Sequence, residues 1–461
     1  MPIDTTKFKT KDGKIYPCKE NLKPTKDLLD SKGCGFCLAK WSQVTMHLGS
    51  GLNHSCHHVG AHKIPLNELE NNPMALHNTS QKKQMRKQML NNERPSECDY
   101  CWRIEDNTQE YSDRIYKSLE PWSMRDIEKI INSSGDEDVY PRYVEVSFGN
   151  VCNFKCTYCG PPFSSKWTEE VKQHGPYNLL RSKYNDIKSD NQPIPNKEEN
   201  PYIDAFWKWF PEAVNHMKVL RITGGEPLLN KNTMKVLQFI IDNPQPGLEL
   251  AINTNACVPH EVWSKFVSLI EMLSSNKYIN KVKVFVSAES VSEQAEYSRD
   301  GMNWNEFVSN VKELIMYAEC ELTFMSAFNV LSLPTYMKFL EFVNTMKIQN
   351  RGKVDLDIAY VRHPEFLDIK IATDTLINQY LKPCVEYVSG NPNFSNWELQ
   401  KITRILQDCE QRFNSNKQAD DISINRYRFT QFVKQYDKRR SKNFLEIFPQ
   451  LEDFWNICTK S

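Results

Sequence analysis

The chain has 461 residues, with 58 lysines and arginines balanced by 58 aspartates and glutamates. That length predicts one large domain with smaller modules attached, and the zero net charge argues against a nucleic-acid or membrane-surface partner held by bulk electrostatics. The absence of any run of about 18 apolar residues, together with the polar start MPIDTTKFKTKDGK, predicts a soluble, cytoplasmic protein.

Residues 1–30 are lysine-rich without hydrophobic periodicity and are expected to form an N-terminal extension. Residues 31–110 form a cysteine- and histidine-rich module, interrupted by a helical segment over 81–91, and 111–140 read as a helical linker. RYVEVSF (142–148) alternates as a strand and leads straight into a cysteine triplet. Residues 176–200 are polar and proline-containing and read as an insertion, followed by a helix from about 204 and a strand at 219–222. Strands at 248–253, 281–287, 321–328 and 354–361 then alternate with helices at 232–242, 259–274, 304–318 and 334–346. This alternation predicts an α/β fold, a partial (β/α)6 TIM-like barrel over 141–365, with chemistry at the strand C-terminal ends. Residues 366–461 are expected to be a helical C-terminal extension that packs on the barrel or covers substrate.

Fourteen cysteines in a long chain, clustered at close spacing, point to metal or cluster ligation rather than disulfides. GNVCNFKCTYCGPP places Cys152, Cys156 and Cys159 at C-x3-C-x2-C on a strand-to-helix loop. Three thiolates suit a four-iron cluster with one iron left open, whereas a structural zinc needs a fourth ligand from elsewhere. Gly224, Gly225, Glu226 and Pro227 follow the second strand directly, and paired glycines allow close backbone approach.

The triplet, with Tyr158 before its last cysteine, resembles the signature of the radical S-adenosylmethionine superfamily, and Gly224–Pro227 resembles that family's GGEP motif. The resemblance implies a [4Fe-4S] cluster on Cys152, Cys156 and Cys159 whose open iron is chelated by S-adenosylmethionine. It also implies contacts to that cofactor from Gly224, Gly225, Glu226 and Pro227, from Asn253, Ser287 and Glu289 at strand ends, and from Arg299 as partner of the cofactor carboxylate. One electron then cleaves the sulfonium to a 5′-deoxyadenosyl radical, which abstracts hydrogen from a substrate.

In the N-terminal module, Cys37, Gly51 and Cys56 stand at C-x13-G-x4-C, and CDYC supplies Cys98 and Cys101. The pattern resembles the twitch domain, a shortened SPASM module, in the subgroup that carries it before the barrel. It implies a second, auxiliary [4Fe-4S] cluster, with zinc as the alternative occupant. Cys34 pairs with Cys37 at C-x2-C, although the spacing to Trp41 and Gly51 favours Cys37. His54, His57 and His58 are read as supporting or exposed side chains rather than ligands. Cys18, Cys257, Cys320, Cys384, Cys409 and Cys458 are isolated and read as small buried hydrophobes.

The expected function is therefore a radical enzyme acting on an unknown substrate, a peptide, protein side chain or small metabolite, and drawing electrons from a flavodoxin or ferredoxin. The competing expectation is a non-catalytic zinc or iron–sulfur adaptor, which leaves GGEP, NTN and Ser287 without a purpose.

Overall fold

The computed structural model describes residues 19–187, 192–350, 352–412 and 416–460. The class is α/β with a largely parallel central sheet and a helical C-terminal region, the class to which partial barrels belong. The chain forms two compact units, one drawn from Met1–Gly149, Pro193–Gly224 and Pro244–Leu250, the other from Asn150–Gln192, Gly225–Asn243 and Ala251–Ser461. These units cut across the borders expected from composition.

In the first unit, strands Gln43–His47, Tyr143–Ser147 and Val219–Thr223 run parallel, and Leu52–His54 and His62–Lys63 add antiparallel pairs at one edge. Gly51 lies in the turn after Gln43–His47 with φ of +66°, and a Cβ there would sit 2.1 Å from the Tyr202 ring. The parallel pairing of Gln43–His47 with Tyr143–Ser147 ties the cysteine-rich module to the first strand of the barrel series.

The segment expected as a linker belongs to the module. Ile115, Leu119, Met124, Ile127 and Ile130 share one core with Cys98, Cys101 and Trp102. Of the expected extension, residues 1–18, including Cys18, lie outside the described residues. Lys19–Asp30 is not a loose arm but a helix, whose Leu22 and Leu29, seven apart and thus on one face, join that same core. Apolar burial outweighs the poor local signal of a lysine-rich stretch.

In the second unit, strands Ile279–Ser287, Glu321–Phe328 and Val354–Tyr360 are parallel neighbours. Helices Lys231–Asp242, His260–Ser275, Trp304–Tyr317 and Tyr336–Gln349 alternate with the strands as expected. Caps mark their starts: Asn230 and Asn303 accept backbone N–H bonds at two of these four. The polar insertion opens with a hairpin, Tyr177–Leu179 against Ser182–Tyr184. Gln435 and Gln431 of the C-terminal helix Asn416–Arg440 accept bonds from the backbone N–H groups of Asn178 and Leu180 at 3.1 and 2.6 Å. The C-terminal extension thus packs on the hairpin. Among the described residues no helix is long and apolar enough to cross a membrane.

Candidate functional site

The loop carrying Cys152, Cys156 and Cys159 is held at its carbonyls. Trp167 Nε1–H donates to Cys156 O at 3.0 Å, Tyr184 Oη shares its proton between Thr157 O and Cys159 O at 2.8 Å each, and the Asn185 amide donates to Cys159 O at 3.1 Å. Lys155–Cys156 also pairs antiparallel with Arg299–Asp300. With the backbone fixed, the thiols project as a half-buried group close enough to influence one another's ionisation. Burial pushes Cys159 up to about 12, with Cys156 adding to it, and Cys156 up to about 11, where Arg299 opposes the rise.

Among the described residues, no three His, Cys, Asp or Glu side chains converge on a single-ion position. A trio of neighbouring thiols suits a polynuclear cluster, in which each thiolate takes a separate iron.

GGEP is locked onto this loop. Gly224 has φ of +137°, a conformation L side chains rarely adopt. At Gly225 a Cβ would lie 2.3 Å from Val151 O, and the Glu226 N–H donates to that carbonyl at 2.6 Å. Two motifs more than 60 residues apart in sequence therefore meet directly before Cys152.

The Glu226 carboxylate is buried and accepts from Leu228 N–H at 3.1 Å, Thr254 Oγ1–H at 2.8 Å and Asn255 N–H at 2.6 Å. Three donors leave about one of its four acceptor sites for a ligand amine. Asn255 Nδ2–H reaches Asn153 Oδ1 at 2.8 Å, and Asn153 Nδ2–H reaches Cys257 O at 2.5 Å. Thr254 and Asn255 belong to the NTN run (253–255) that the sequence places at a strand end, whereas Asn153 joins the site without having been singled out. Asn253 Nδ2–H lies 3.1 Å from Met325 Sδ.

Burial raises Glu226 to about 7 against the three hydrogen bonds that lower it. The folded protein thus binds this proton more tightly than the unfolded chain. The resulting stability is fully present below pH 4.5 and is lost as the pH rises through 7. The shift corresponds to about 3 kcal/mol. Thermal melts between pH 4.5 and 8 are expected to fall less steeply for Glu226→Gln than for the native chain; parallel curves would contradict this.

Glu289 and Arg299 form one buried ion pair. Arg299 Nη2 donates to Glu289 Oε2 at 2.8 Å, its Nε lies 3.1–3.2 Å from both oxygens, and Tyr158 Oη–H donates to Oε1 at 3.0 Å. Burial would lower Arg299, but Glu289 and Tyr158 hold its guanidinium well above the usual range. The remaining edge, Nη1, lies 3.8 Å from Cys156 Sγ. Ser287, half-buried, ends its strand two residues before Glu289.

Beneath them lies a charged cluster with no sequence motif. Arg440 reaches Glu170 at 2.6 Å and Asp300 at 3.0 Å, while Lys155 lies 3.1 and 3.2 Å from the same two carboxylates. Tyr177 Oη–H donates to Glu170 at 2.5 Å.

In the N-terminal module, Cys37, Cys56, Cys98 and Cys101 line one pocket together with Lys40 and Arg114. Cys34 is not among them; it is exposed, and its thiol donates to Asn92 O at 3.4 Å. Burial raises Cys37 and Cys98 to about 12 and Cys101 to about 11; Cys101 and Cys56 add to the rise at Cys37, while Lys40 opposes it at Cys98. Four thiols beside two buried cations fit a dianionic four-iron, four-thiolate cluster. The His58 ring stacks on Tyr100 at 3.6 Å and bonds Asp113 at 2.6 Å. His54 is pushed by burial down to about 4, so it is neutral at pH 7. Its Nδ1–H donates to Cys56 O at 2.7 Å, and its bare Nε2 accepts from His47 Nε2–H at 3.2 Å. Cys257, Cys320, Cys384, Cys409 and Cys458 are all buried.

Residues 146–324 match the model of the Radical SAM superfamily. The chain is 28% identical over 123 residues to a GTP 3′,8-cyclase of Sulfurimonas denitrificans, covering 26% of this chain and 30% of that protein. It is 27% identical over 114 residues to a GTP 3′,8-cyclase of Nautilia profundicola, covering 24% of this chain and 27% of that one. The chain thus spans under a third of the length of these relatives.

Proposed function

We propose that this chain, which carries a radical S-adenosylmethionine domain across residues 146–324, is an enzyme that reductively cleaves S-adenosylmethionine and abstracts hydrogen from an organic substrate. The observation that carries this reading is the docking of Gly225 and Glu226 against Val151, directly before Cys152. A glycine-rich backbone segment fixed beside a thiol trio is what a cofactor bound jointly by cluster and protein needs.

In this reading Cys152, Cys156 and Cys159 hold a [4Fe-4S] cluster, and the position without a thiolate receives the amine and carboxylate of S-adenosylmethionine. When bound, the cluster supplies the electron that cleaves the sulfonium. The backbone at Gly224–Pro227 and the remaining Glu226 acceptor site orient the amine. Asn253 and Ser287 present hydrogen-bonding groups at strand ends, and the Nη1 edge of Arg299, turned toward Cys156 Sγ, offers positive charge, with Glu289 and Tyr158 acting by aiming that guanidinium.

Cys37, Cys56, Cys98 and Cys101 are proposed to hold a second, fully ligated cluster, suited to electron transfer or scaffolding rather than to binding substrate. A one-electron protein donor such as a flavodoxin or ferredoxin completes the scheme. The relatives are named for action on GTP, but their similarity covers about a quarter of this chain, so their substrate does not carry over.

Purification without oxygen, followed by iron, sulfide and zinc analysis, tests the scheme. About eight irons and eight sulfides per chain are expected from two four-iron clusters. About four would remove the auxiliary cluster, and zinc without sulfide would overturn the enzyme reading in favour of an adaptor.

A further inference from the structure

The parallel strands Gln43–His47, Tyr143–Ser147 and Val219–Thr223 have two unlike faces. Val44, Met46, Val144, Val146, Leu220 and Ile222 occupy one face and are wholly buried. On the other, the register sets Gln43 beside Tyr143, Thr45 beside Glu145, and Glu145 beside Arg221, while Ser147 pairs with Thr223. His54 joins this face opposite Thr45.

Parallel strands are ordinarily covered on both faces by apolar side chains, so a polar face on such a sheet needs something polar to cover it. Gln43 and Thr45 are each 1% exposed, and their side-chain polar atoms find no hydrogen-bond partner among the described residues. Tyr143 Oη–H lies 3.4 Å from Glu145 Oε2, and Thr223 Oγ1–H lies 3.3 Å from Glu145 Oε1, both long for bonds to a carboxylate. Tyr143 also shares a hydrogen bond with Arg221. The face therefore offers a carboxylate and a guanidinium on adjacent strands, bridged by a phenol, with the uncharged side chains of Gln43, Thr45 and Thr223 on the same face.

We propose that this face binds the substrate by a zwitterionic group of the amino-acid type, free or at the end of a peptide. Glu145 takes the ammonium, Arg221 takes the carboxylate, and Tyr143, Thr223, Thr45 and Gln43 satisfy the polar groups between them. The proposal rests on the radical-enzyme reading and names the substrate class that reading leaves open. Charge argues against a nucleoside polyphosphate here: Arg221 stands directly opposite the Glu145 carboxylate, which would repel a triphosphate. Chain continuity supports the assignment. Glu145 stands seven residues before Cys152, and Thr223 immediately precedes Gly224, so the strands bearing the face run into both motif loops.

Equilibrium dialysis of the anaerobically reconstituted full chain tests this with three probes: a mixture of the twenty free amino acids, a mixture of short peptides, and GTP. Retention of an amino acid or peptide is expected, at least about tenfold weaker for Glu145→Gln and for Arg221→Met, with partial recovery in Arg221→Lys. Far-ultraviolet circular dichroism confirms that each variant folds. Retention of GTP alone, retention of nothing, or unchanged retention by the variants overturns the proposal. Formation of 5′-deoxyadenosine by the native chain with dithionite is measured separately. Its absence breaks the radical reading, whereas its presence with a failed dialysis result breaks only this inference.

Discussion

Cys156→Ala is expected to abolish reductive cleavage of S-adenosylmethionine. Cys156 stands between the other two thiols in sequence, and its Sγ is the one nearest the Arg299 guanidinium, at 3.8 Å. Its backbone does not depend on the thiol, because Trp167 Nε1–H holds its carbonyl at 3.0 Å and the pairing of Lys155–Cys156 with Arg299–Asp300 holds the strand. The variant should therefore fold and fail by losing a thiolate, which leaves too few to retain the cluster. Chromatographic assay of 5′-deoxyadenosine after dithionite reduction is expected to show none above background, while bound iron falls from about eight to about four per chain. Cys98→Ala should lose a similar amount of iron yet keep part of the cleavage activity, with substrate turnover impaired. Full cleavage by C156A would refute the assignment of the triplet.

Arg440→Ala is expected to cause a large loss of stability. Arg440, Glu170 and Tyr177 are all deeply buried, and Arg440 is the group that bonds both Glu170 and Asp300 from the C-terminal helix. Removing one partner of a buried pair leaves the other charge without compensation, a cost of about 3–5 kcal/mol. Lys155 and Arg439 still reach Glu170, at 3.1 and 3.4 Å, which places the expected loss near the lower end of that range. The damage should extend to the site, because Asp300 adjoins Arg299 and both lie in the strand paired with Lys155–Cys156. Thermal melts should show a clear drop for R440A, partly restored in R440K, accompanied by weaker cleavage of S-adenosylmethionine. An unchanged melt would show that the cluster of charges is solvated rather than structural.

Much of the second unit was legible in advance because its signals are local. Each strand and helix beyond Val219 carries its own periodicity, so the alternation could be read without knowing what it packs against. The cysteine triplet and Gly224–Pro227 were legible for the same reason, since each puts its chemistry into a few consecutive residues. Gln43–His47 was missed as a strand because five residues beside a glycine turn carry little pattern, and its partner lies about a hundred residues away. Lys19–Asp30 was missed because its lysines hide two leucines that matter only once a core exists to receive them.

Side-chain partnerships were the least legible. Glu289 and Arg299 were each expected near the cofactor, and the sequence carried no sign that they pair with each other, because a buried carboxylate and a buried guanidinium within reach compensate one another's charge. Thr254 and Asn255 joined Glu226 for a similar reason, as a buried carboxylate takes whichever donors the fold brings to it, and the Asn255 amide in turn holds Asn153.

The chain by itself determined which residue types are available for cluster and cofactor and where they fall along alternating strands and helices, because ligand spacing and periodicity are properties of neighbouring residues. Only the tertiary structure decided that Cys37 rather than Cys34 shares a pocket with Cys56, Cys98 and Cys101, that GGEP docks on Val151, and that a helix from the far end of the chain supports the Cys156 strand. Those are long-range pairings, selected by burial and hydrogen bonding among segments whose sequences carry no record of one another.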